Sequence, residues 1–379
     1  MAATAHRLKA ETGYIAGFRE GRRISRFDEP ADFTIFARSE SHLRQILDGD
    51  WYTSALGFIR GEYRVTGDLT AAIRLKDARG IRGFLPHLRS LACRMSIARV
   101  ESWFQTRARA AQNIRFHYDV SNEFYRTFLD SRLIYSEGWF DRPEWTLAPA
   151  PEATLEHICS DLGLEAGHRF LDIGCGWGAL ISHAAARYGA HATGCTLSHG
   201  QYEYATALVQ ARGLHGRVEV LERDYRDLPG RFDRISSIGM FEHVGRRRLG
   251  EYFRRIHRML APGGRFVNSG ISRPQDVHDD PQTRFLLRRV FPGGELAHLS
   301  DVIREAELAG FSILDLRNLR RDYARTCREW VANLKLNHDH SVALVGEEIY
   351  RTWLLYLAAS ACSFEKGESE VFSIVMTRQ

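Results

Sequence analysis

The feature that most constrains the fold of this chain is an apolar run that ends in an acid and continues with glycine at every second position. Residues 170–178 read FLDIGCGWG. The pattern predicts a buried parallel strand, a tight turn at its end, and a helix over 179–188. Because Gly174, Gly176 and Gly178 have no Cβ atom, they accept positive φ and let a ligand lie against the backbone. Ligands of open α/β sheets bind outside the carboxyl ends of the strands, so we expect a nucleotide-like cofactor at this turn.

The spacing of the glycines narrows the kind of cofactor. Dinucleotide-binding domains carry G-x-G-x-x-G after the first strand, whereas the pattern here is D-x-G-x-G-x-G and begins at Asp172. It resembles motif I of the S-adenosylmethionine (SAM) methyltransferases. SAM has no pyrophosphate, and its ammonium and sulfonium centres favour a nearby carboxylate such as Asp172. The alternative is an ordinary glycine-rich turn in another doubly wound domain.

Length and composition allow two domains with real cores. The chain has 379 residues, of which 44% are hydrophobic, and this is not the composition of a disordered protein. The net charge of +5 is compatible with an anionic surface, acidic phospholipid or nucleic acid, without requiring one. The first residues lack an apolar run of signal-peptide length, and no segment is apolar enough to span a membrane. We therefore expect a cytoplasmic protein that meets the inner face of the membrane from the side.

The six cysteines indicate neither disulfides nor a metal site. They form no C-x-x-C pair and no Cys/His cluster at zinc spacing. We interpret them as the reduced thiols of a cytosolic protein. They are Cys93, Cys159, Cys175, Cys195, Cys327 and Cys362.

After a helix over 152–162, strands and helices are predicted to alternate. The strands are 169–173, 191–196, 217–221, 232–238, 265–269, 311–317 and 371–377, and the helices are 179–188, 199–212, 246–260, 300–309, 321–336 and 345–361. This order predicts an α/β fold with a Rossmann-like sheet. An insertion between about 272 and 299 is expected to cover the cofactor edge and to supply a substrate chamber.

The residues before about 110 are predicted to form a small α+β accessory domain, so that we divide the chain into 1–110 and 111–379. We expect a strand over 33–37, a helix over 40–48, and a loop-rich elbow over 55–69 that leads into a helix capped by Asp68 or Thr70. Residues 81–111 combine arginines with apolar residues at helical spacing. Such a helix either contacts a membrane surface or packs between the domains.

Several further motifs together resemble the cyclopropane fatty acid synthase family, which includes the mycolic acid cyclopropane synthases and related lipid C-methyltransferases. The resemblance runs from about residue 115 to the end of the chain. The motifs are HYDVSN at 117–122, YS at 135–136, the turn at 172–178, GCTLS at 194–198 with Gln201, DYRDL at 224–228, SIGMFEHVG at 237–245 and FPGG at 291–294. The resemblance implies a SAM-dependent methyltransferase of the class I fold.

The same resemblance implies which residues hold SAM. They are Tyr135 and Ser136 at the lid, Asp172, Gly174, Gly176 and Gly178 at the turn, Thr196 and Gln201 near the ribose, and Asp224 with Tyr225. Many SAM enzymes place an acid at the end of the second strand, and its absence here fits this family. For Thr196 and Gln201 the alternative is a helix cap and a surface amide.

The family's base is thought to be a bound bicarbonate held by a Glu, a His, a Tyr and backbone groups around a Cys and an Ile. Glu242 matches the Glu, and Tyr323 is the candidate for the Tyr. The other positions differ, because Glu137 replaces the Cys, Asn268 the His and Gly270 the Ile. We hypothesise that the Glu137 carboxylate occupies the bicarbonate position and acts as the base, with a pKa raised by an apolar chamber. The alternative is an exposed loop acid.

The domain before residue 110 is similar to that of the bacterial phospholipid-acting members, which favours unsaturated phospholipid acyl chains as the substrate. Methyl transfer to the double bond leaves a carbocation. Loss of a proton from the new methyl group closes a cyclopropane, and loss from a neighbouring carbon leaves a methyl- or methylene-branched chain. The carboxylate at Glu137 inclines us to the branched product. By family analogy we also expect a homodimer.

Two other functions remain open from the sequence. A small-molecule N- or O-methyltransferase would need no carboxylate beside an apolar tunnel, and a non-catalytic lipid-binding relative would fit the changes at Asn268 and Gly270. No metal site is expected, and RNA methylation is disfavoured because no aromatic-basic platform is present. The arginines at 246–248, 254, 255 and 258 form either a solvated face or a head-group patch. Trp139, Phe140, Tyr323, Trp353 and Tyr356 either line an acyl tunnel or belong to the core.

Overall fold

The computed structural model describes residues 14–19, 22–24, 31–48, 51–79, 120–142, 149–275, 289–290 and 294–379. The predicted helix over 81–111, the boundary at 110, the first three residues of the HYDVSN motif and the first three of FPGG lie outside these ranges. All structural statements below refer to the described residues.

The amino-terminal segments form a small antiparallel sheet with three helices. The elements are β1 (Tyr14–Arg19), β2 (Arg22–Ile24), β3 (Phe33–Ala37), α1 (Glu40–Asp48), α2 (Trp51–Ile59), β4 (Tyr63–Gly67) and α3 (Leu69–Arg79). The strand order is β2-β1-β3-β4. Burial alternates along β3, so that Phe33 and Ile35 face a core shared with Leu43 and Ile46 of α1. Period-two alternation predicted this strand, and the structure confirms it.

The predicted loop-rich elbow over 55–69 is wrong, because this stretch contains the end of α2 and the strand β4. Gly57 was the misleading residue. It lies inside α2, where an added Cβ would be 3.2 Å from the Tyr63 ring and 3.1 Å from Glu62 Oε2. The glycine therefore permits a close approach of helix and strand and does not mark a loop. Asp68 is confirmed as the cap of α3, because its Oδ1 accepts hydrogen bonds from the backbone N–H groups of Thr70 (2.8 Å) and Ala71 (3.2 Å).

The rest of the chain is built on one seven-stranded sheet. Its elements are α4 (Asn122–Arg126), α5 (Ala150–Leu162), β5 (Arg169–Ile173), α6 (Ala179–Tyr188), β6 (His191–Thr196), α7 (His199–Ala211), β7 (Val218–Glu222), β8 (Phe232–Ile238), α8 (Leu249–Met259), β9 (Leu260–Ser272), α9 (Leu299–Leu308), β10 (Phe311–Asn318), α10 (Arg320–Leu336), α11 (His338–Val345), α12 (Glu347–Lys366) and β11 (Glu370–Arg378). The strand order is β10-β11-β9-β8-β5-β6-β7. Strands β5 to β9 pair in parallel, and β11 is antiparallel to both of its neighbours. The predicted Rossmann-like α/β sheet is confirmed.

Two predicted helices differ from the observed ones at their first residues. The helix predicted over 246–260 begins as a 3₁₀ turn, Arg246–Arg248, and becomes α-helical only at Leu249. The helix predicted from 345 is preceded by α11, and the two helices are separated at Gly346, whose φ is +80°. A left-handed residue interrupts the helical hydrogen-bond ladder, so a helix must end there and a new one begin.

One hydrophobic cluster joins the small sheet unit to the large one. It contains Phe58 and Ile73 of the small unit together with Tyr125, Trp330 and Trp353 of the large one. The contact is made mainly by α12, which packs against both α2 and α3. The Arg351 side chain of α12 also donates hydrogen bonds to the backbone oxygens of Phe58 and Tyr63, each at 3.2 Å. Hydrogen bonds to backbone carbonyls thus accompany the apolar contact.

Candidate functional site

The turn after β5 is held in a conformation that glycine alone adopts readily. Gly174, Gly176 and Gly178 have φ values of +80°, +52° and +83°. The backbone N–H of Gly174 donates to the carbonyl oxygen of Cys195 in β6 at 2.9 Å, and this ties the turn to the neighbouring strand. An added Cβ at Gly178 would lie 2.9 Å from Cβ of Ala205 in α7. An added Cβ at Gly176 would have no other atom of the described residues within 4 Å. Gly178 therefore serves helix packing, and Gly176 borders open space.

That open space is a cavity at the carboxyl edge of the parallel strands, where the sequence predicted a cofactor. Its lining includes nine of the ten residues predicted to bind SAM, namely Tyr135, Ser136, Asp172, Gly174, Gly176, Thr196, Gln201, Asp224 and Tyr225. Gly178 is absent from the lining. The sequence analysis did not single out Trp177, Met240 and Tyr252, which line the cavity as well. Their positions next to the glycine turn, in the SIGMFEHVG motif and on α8 were the available signals.

Asp172 gives the cavity a buried carboxyl group. Only 3% of the residue is exposed, and one of its carboxyl oxygens, Oδ1, accepts a hydrogen bond from Ser236 Oγ at 2.6 Å. Burial raises the pKa of Asp172 to about 7, against the opposing effect of the Ser236 hydroxyl. A cationic ligand would favour the ionised form and lower this pKa. The carboxyl group is therefore suited to a positively charged ligand.

Thr196 and Gln201 form a buried pair, and the reading of Gln201 as a surface amide is wrong. Thr196 Oγ1 donates to Gln201 Oε1 at 2.8 Å, and 5% of each residue is exposed. The cap of α7 is Ser198, whose Oγ accepts from the Gln201 backbone N–H at 3.3 Å. Thr196 is therefore not the helix cap. Both side chains are fixed at the cavity wall, as a ligand-binding pair requires.

Asp224 and Tyr225 form another part of the wall. Asp224 is paired with Arg226, whose Nε donates to Asp224 Oδ1 at 2.8 Å. The Tyr225 ring meets the Tyr252 ring edge to face, with 5.9 Å between centroids. An aromatic ring beside a carboxylate suits a flat base that carries amino groups.

Glu137 and Glu242 are two buried carboxyl groups that do not line the cavity, although their neighbours Ser136 and His243 do. Glu137 is 4% exposed, so its reading as an exposed loop acid is wrong. Its Oε1 accepts a hydrogen bond from Ser269 Oγ at 2.6 Å. Glu242 is 8% exposed, and its Oε1 accepts from the Ile271 backbone N–H at 2.6 Å. Its other oxygen, Oε2, is buried without a hydrogen-bond partner among the described residues.

Burial makes both carboxyl groups costly to ionise. Burial raises the pKa of Glu242 to about 7, and the charge of Glu137 contributes to the increase. Burial also raises the pKa of Glu137, with a further contribution from Asp322, while the Ser269 hydroxyl opposes the increase. Two nearby carboxyl groups in a dry site resist holding two negative charges. Burial therefore favours the protonated form of both groups, and the Ser269 hydroxyl favours the ionised form of Glu137, which can act as a base.

Backbone contacts fix the segment that carries Glu137. Thr154 Oγ1 of α5 donates to the Glu137 backbone oxygen at 3.0 Å. On the other side, the Gly138 backbone N–H donates to Thr326 Oγ1 of α10 at 2.9 Å, and the Phe140 N–H donates to Asp322 Oδ1 at 3.3 Å. The sequence analysis missed Ser269, Thr154 and Thr326, because nothing in the local sequence marks a hydroxyl whose partner is distant along the chain.

Of the other two predicted catalytic residues, Tyr323 lies within electrostatic reach of both glutamates, whereas the Asn268 side chain contacts Tyr252 of the cavity wall. The Tyr323 ring stacks on Phe364 with 4.8 Å between centroids, and the charges of Glu137 and Glu242 contribute to raising its pKa, after burial. Asn268 is fully buried in β9, and its Oδ1 accepts from the Tyr252 hydroxyl at 2.7 Å. Its amide nitrogen lacks a partner among the described residues.

Steric crowding explains why position 270 is a glycine. A Cβ there would lie 2.8 Å from Glu242 Oε1 and still closer to the Phe241 ring. Phe241 therefore fills the space that a side chain at 270 would need, and a larger residue would displace Glu242. The departure from the family pattern at this position and the location of Glu242 are thus linked.

The aromatic residues that were considered for a tunnel divide into two groups. Trp353 belongs to the core, with 4% exposure and edge-to-face contact to Tyr125 at 5.4 Å and to Tyr356 at 5.9 Å. Trp139 is half-buried and stacks on the His157 ring at 3.9 Å, and Phe140 lies under the Arg325 guanidinium. Core packing is therefore confirmed for Trp353.

The structure gives no catalytic role to His243, to Arg246 or to the cysteines that it describes. Burial lowers the pKa of His243 to about 4, so this cavity residue is neutral at physiological pH. Arg246 pairs with Asp301 at 2.8 Å. The described cysteines, all but Cys93, are buried. In the described ranges no group of His, Cys, Asp and Glu could hold a metal ion, and no helix there has the length and hydropathy of a membrane span.

Comparison with known sequences matches most of the chain to one family. A profile of the family described as mycolic acid cyclopropane synthetase matches residues 105–374. A probable fatty acid methyltransferase of Pseudomonas putida is 36% identical over 351 residues, covering 91% of this chain and 87% of the relative. Cyclopropane mycolic acid synthase 3 of Mycobacterium tuberculosis is 33% identical over 270 residues, covering 68% of this chain and 94% of that protein.

Solved structures show the same likeness. The cyclopropane synthase MmaA2 from Mycobacterium tuberculosis superposes with a TM-score of 0.69 at 30% identity, covering 71% of this chain and 98% of the other. The mycolic acid cyclopropane synthase CmaA1, complexed with SAH and CTAB, superposes with a TM-score of 0.68 at 32% identity and with the same coverage. A coclaurine N-methyltransferase reaches a TM-score of 0.65 at 23% identity, covering 89% of this chain and 98% of the other, and shares the fold.

Proposed function

The chain belongs to the mycolic acid cyclopropane synthetase family and is a SAM-dependent methyltransferase acting on lipids. From this premise we propose that it methylates the double bond of unsaturated acyl chains in membrane phospholipids. We further propose that the Glu137 carboxylate is the base. One observation carries the proposal for the base. Glu137 is buried next to a second buried carboxyl group, with one oxygen anchored by Ser269.

The cavity residues fit SAM. Bound there, SAM supplies an electrophilic methyl group on a sulfonium centre. Asp172 would offset its positive charge, the backbone at Gly176 leaves room for a ligand, and Thr196 with Gln201 offers polar groups for ribose hydroxyls. The wall at Tyr225 and Asp224 suits the adenine. These roles follow from the chemistry of the side chains and from their common cavity.

We propose that the chain's own carboxyl groups remove the proton that is lost after methyl transfer. The electron pair of the alkene would form the bond to the methyl group, which would leave S-adenosylhomocysteine and a positive charge on the acyl chain. The second oxygen of Glu137 then accepts a proton from a carbon next to that charge, and the electron pair of the broken C–H bond neutralises it. A base fixed in the chain can take over the role of a bound bicarbonate in the family. The raised pKa of Glu137 improves it as a proton acceptor, because a more basic carboxylate has a larger driving force for the transfer. Which carbon loses the proton decides between a ring and a branch, and we favour the branch.

Three features support phospholipid as the acyl carrier. The Pseudomonas putida relative aligns over 91% of the chain and hence includes residues of the amino-terminal unit. That unit shares a hydrophobic cluster with the helices around the site. The net charge of +5 favours approach to an anionic membrane face. We therefore place the working enzyme at the inner face of a membrane, and we retain the homodimer as part of the proposal.

The decisive experiment compares lipids from a host that expresses the wild type with lipids from hosts that express Glu137→Gln or Glu219→Gln. Glu219 lies on β7 with an exposed side chain, so its amide is a matched control. The wild type and the control should add one methylene mass to unsaturated phospholipids, with NMR signals of a branched chain. Glu137→Gln should lose this product by at least about 100-fold and still bind SAM.

Other outcomes would contradict parts of the proposal. Cyclopropyl proton signals would establish ring closure and overturn the branched product. Full activity of Glu137→Gln, or a wild-type rate that depends on added bicarbonate, would overturn the built-in base. No lipid product from a wild type that binds SAM would overturn the phospholipid substrate and favour a small-molecule acceptor.

A further inference from the structure

We propose that Ser269 is a positioning residue for Glu137: its hydroxyl holds one carboxylate oxygen and thereby presents the other to the acyl chain. The inference rests on the proposed role of Glu137 as the base. It adds a residue that none of the sequence motifs includes, and it explains how a flexible glutamate side chain can replace a bound ion.

The hydrogen bond itself is short and dry. Ser269 Oγ lies 2.6 Å from Glu137 Oε1, and only 1% of Ser269 and 4% of Glu137 are exposed. A hydroxyl that donates to a carboxylate in a low-dielectric site forms one of the stronger hydrogen bonds of a protein. Since Oε1 is engaged in this way, Oε2 is the oxygen that remains for a proton.

Ser269 is itself held on a rigid element. It lies in β9, between Ile238 of β8 and Ser373 of β11 in the strand register. Its backbone oxygen also accepts a hydrogen bond from the Gly239 N–H at 2.9 Å. A central strand with partners on both sides fixes its side chains better than a loop does. The hydroxyl is therefore a fixed point against which the Glu137 side chain is oriented.

The backbone of Glu137 does not depend on Ser269. Thr154 binds the Glu137 carbonyl group from α5, and Thr326 binds the following N–H group from α10. Removal of the Ser269 hydroxyl should therefore leave the segment in place and release only the carboxylate. This separation makes the role of the hydroxyl testable by one substitution.

The charges around Glu137 make the hydroxyl important for its ionisation. Glu242 faces it from the turn after β8, and Asp322 and Tyr323 face it from α10. The Asp322 carboxyl group disfavours a charge on Glu137, while Arg325 offsets the charge of Asp322. Among the side chains, the Ser269 hydroxyl is the group that stabilises the carboxylate form, so its loss should raise the pKa of Glu137 further.

The test is the pH dependence of kcat/KM on unsaturated phospholipid vesicles for the wild type, Ser269→Ala and Ser269→Thr. The control is Ser373→Ala, which removes a buried hydroxyl from the register partner on β11. Ser269→Ala should move the acidic limb up by about one pH unit or more. Its rate at neutral pH should fall about tenfold or more, with an unchanged KM for SAM. Ser269→Thr, which keeps the hydroxyl, should restore the profile.

A Ser269→Ala profile that matches both the wild type and Ser373→Ala would overturn the inference, provided that Glu137→Gln is inactive. If Glu137→Gln keeps full turnover, the proposed base fails first, and the inference fails with it. Should Ser269→Ala not fold, Ser269→Cys has nearly the same size and a much weaker donor, and the same shift is expected. An unshifted Ser269→Cys profile would then overturn the inference.

Discussion

Single residues determine how this site responds to pH, and Glu242 is a residue whose pKa is strongly displaced by burial. Its Oε1 is held by the Ile271 N–H, and its Oε2 is buried without a partner among the described residues. Burial raises its pKa from 4.5 to about 7. The unfolded chain ionises this group at lower pH than the folded chain does. Its contribution to stability is therefore present below about pH 4.5 and is lost as the pH rises towards 7.

Glu242→Gln should reduce the decrease in the free energy of unfolding that occurs as the pH rises. Between pH 5 and 7 the substitution should remove about 1.4 kcal/mol of pH dependence for each pH unit from the free energy of unfolding. Urea unfolding of the SAM-free protein at both pH values measures the difference. Glu219→Gln, on the exposed face of β7, should keep the wild-type dependence. An equal pH dependence in Glu242→Gln and in the wild type would show that Glu242 ionises normally.

Among single residues, the sequence identifies those that depart from the family pattern, but it does not identify the residues that form hydrogen bonds to them. Glu137 and Gly270 stand out because they interrupt a known pattern, and the structure finds both at the carboxylate cluster. Ser269 and Thr326 do not stand out, because a serine in a strand and a threonine in a helix are ordinary. Their partners lie 132 and 188 positions away. Such contacts arise from the tertiary fold.

At the scale of elements, the glycine turn between β5 and α6 combines a structural glycine with one that borders the cavity. Gly178 leaves room for α7, and Gly176 leaves room for a ligand. The sequence predicted the bounds of β5 and α6 as observed, since both are long and strongly patterned. It did not predict α2, where a glycine inside a helix suggested a loop.

Gly176→Ala should weaken SAM binding at least tenfold and leave the fold intact. Gly213→Ala is the matched control, because Gly213 has a similar φ of +65° and also has no atom within 4 Å of an added Cβ. Both variants should lose about 1 kcal/mol of stability through the left-handed backbone. Isothermal titration with SAM separates them, since the extra methyl group enters the cavity only at Gly176. Equal affinities of both variants would show that the ligand does not approach this turn.

At the scale of the whole molecule, the small unit and the large unit are joined by cationic side chains as well as by apolar contact. Arg351 donates to the backbone oxygens of Phe58 and Tyr63, and Lys335 Nζ donates to that of Gly67 at 2.8 Å. Arg328 of α10 lies 3.4 Å from the Asp68 carboxylate. All three cations come from α10 or α12, and α10 also carries Thr326 and Asp322, which accept hydrogen bonds from the backbone of the Glu137 segment. We therefore expect the attachment of the small unit to influence the position of Glu137.

Arg351→Met should loosen this attachment. The substitution keeps much of the side-chain length but removes two hydrogen bonds, although the Phe58 oxygen keeps the Gly61 N–H as a donor at 3.1 Å, so we expect a loss of about 1–2 kcal/mol. Limited proteolysis followed by mass spectrometry should detect faster cleavage between 51 and 79, together with a lower rate on phospholipid vesicles. Arg304→Met, on the exposed face of α9, serves as the control. Wild-type proteolysis and rate in Arg351→Met would contradict the coupling.

The shared hydrophobic cluster also has a consequence for how such chains change over time. Leu355 of α12 packs in the same cluster as Phe58 and Ile73 of the small unit, while Trp353, two residues earlier, packs beside Tyr125. A mutation on either face of α12 should therefore change its packing against both the small unit and the large unit. A foreign small unit would meet Leu355 with other side chains than Phe58 and Ile73. Exchange of the small unit between relatives should therefore succeed better when α12 is exchanged with it, although the two segments are far apart in the sequence.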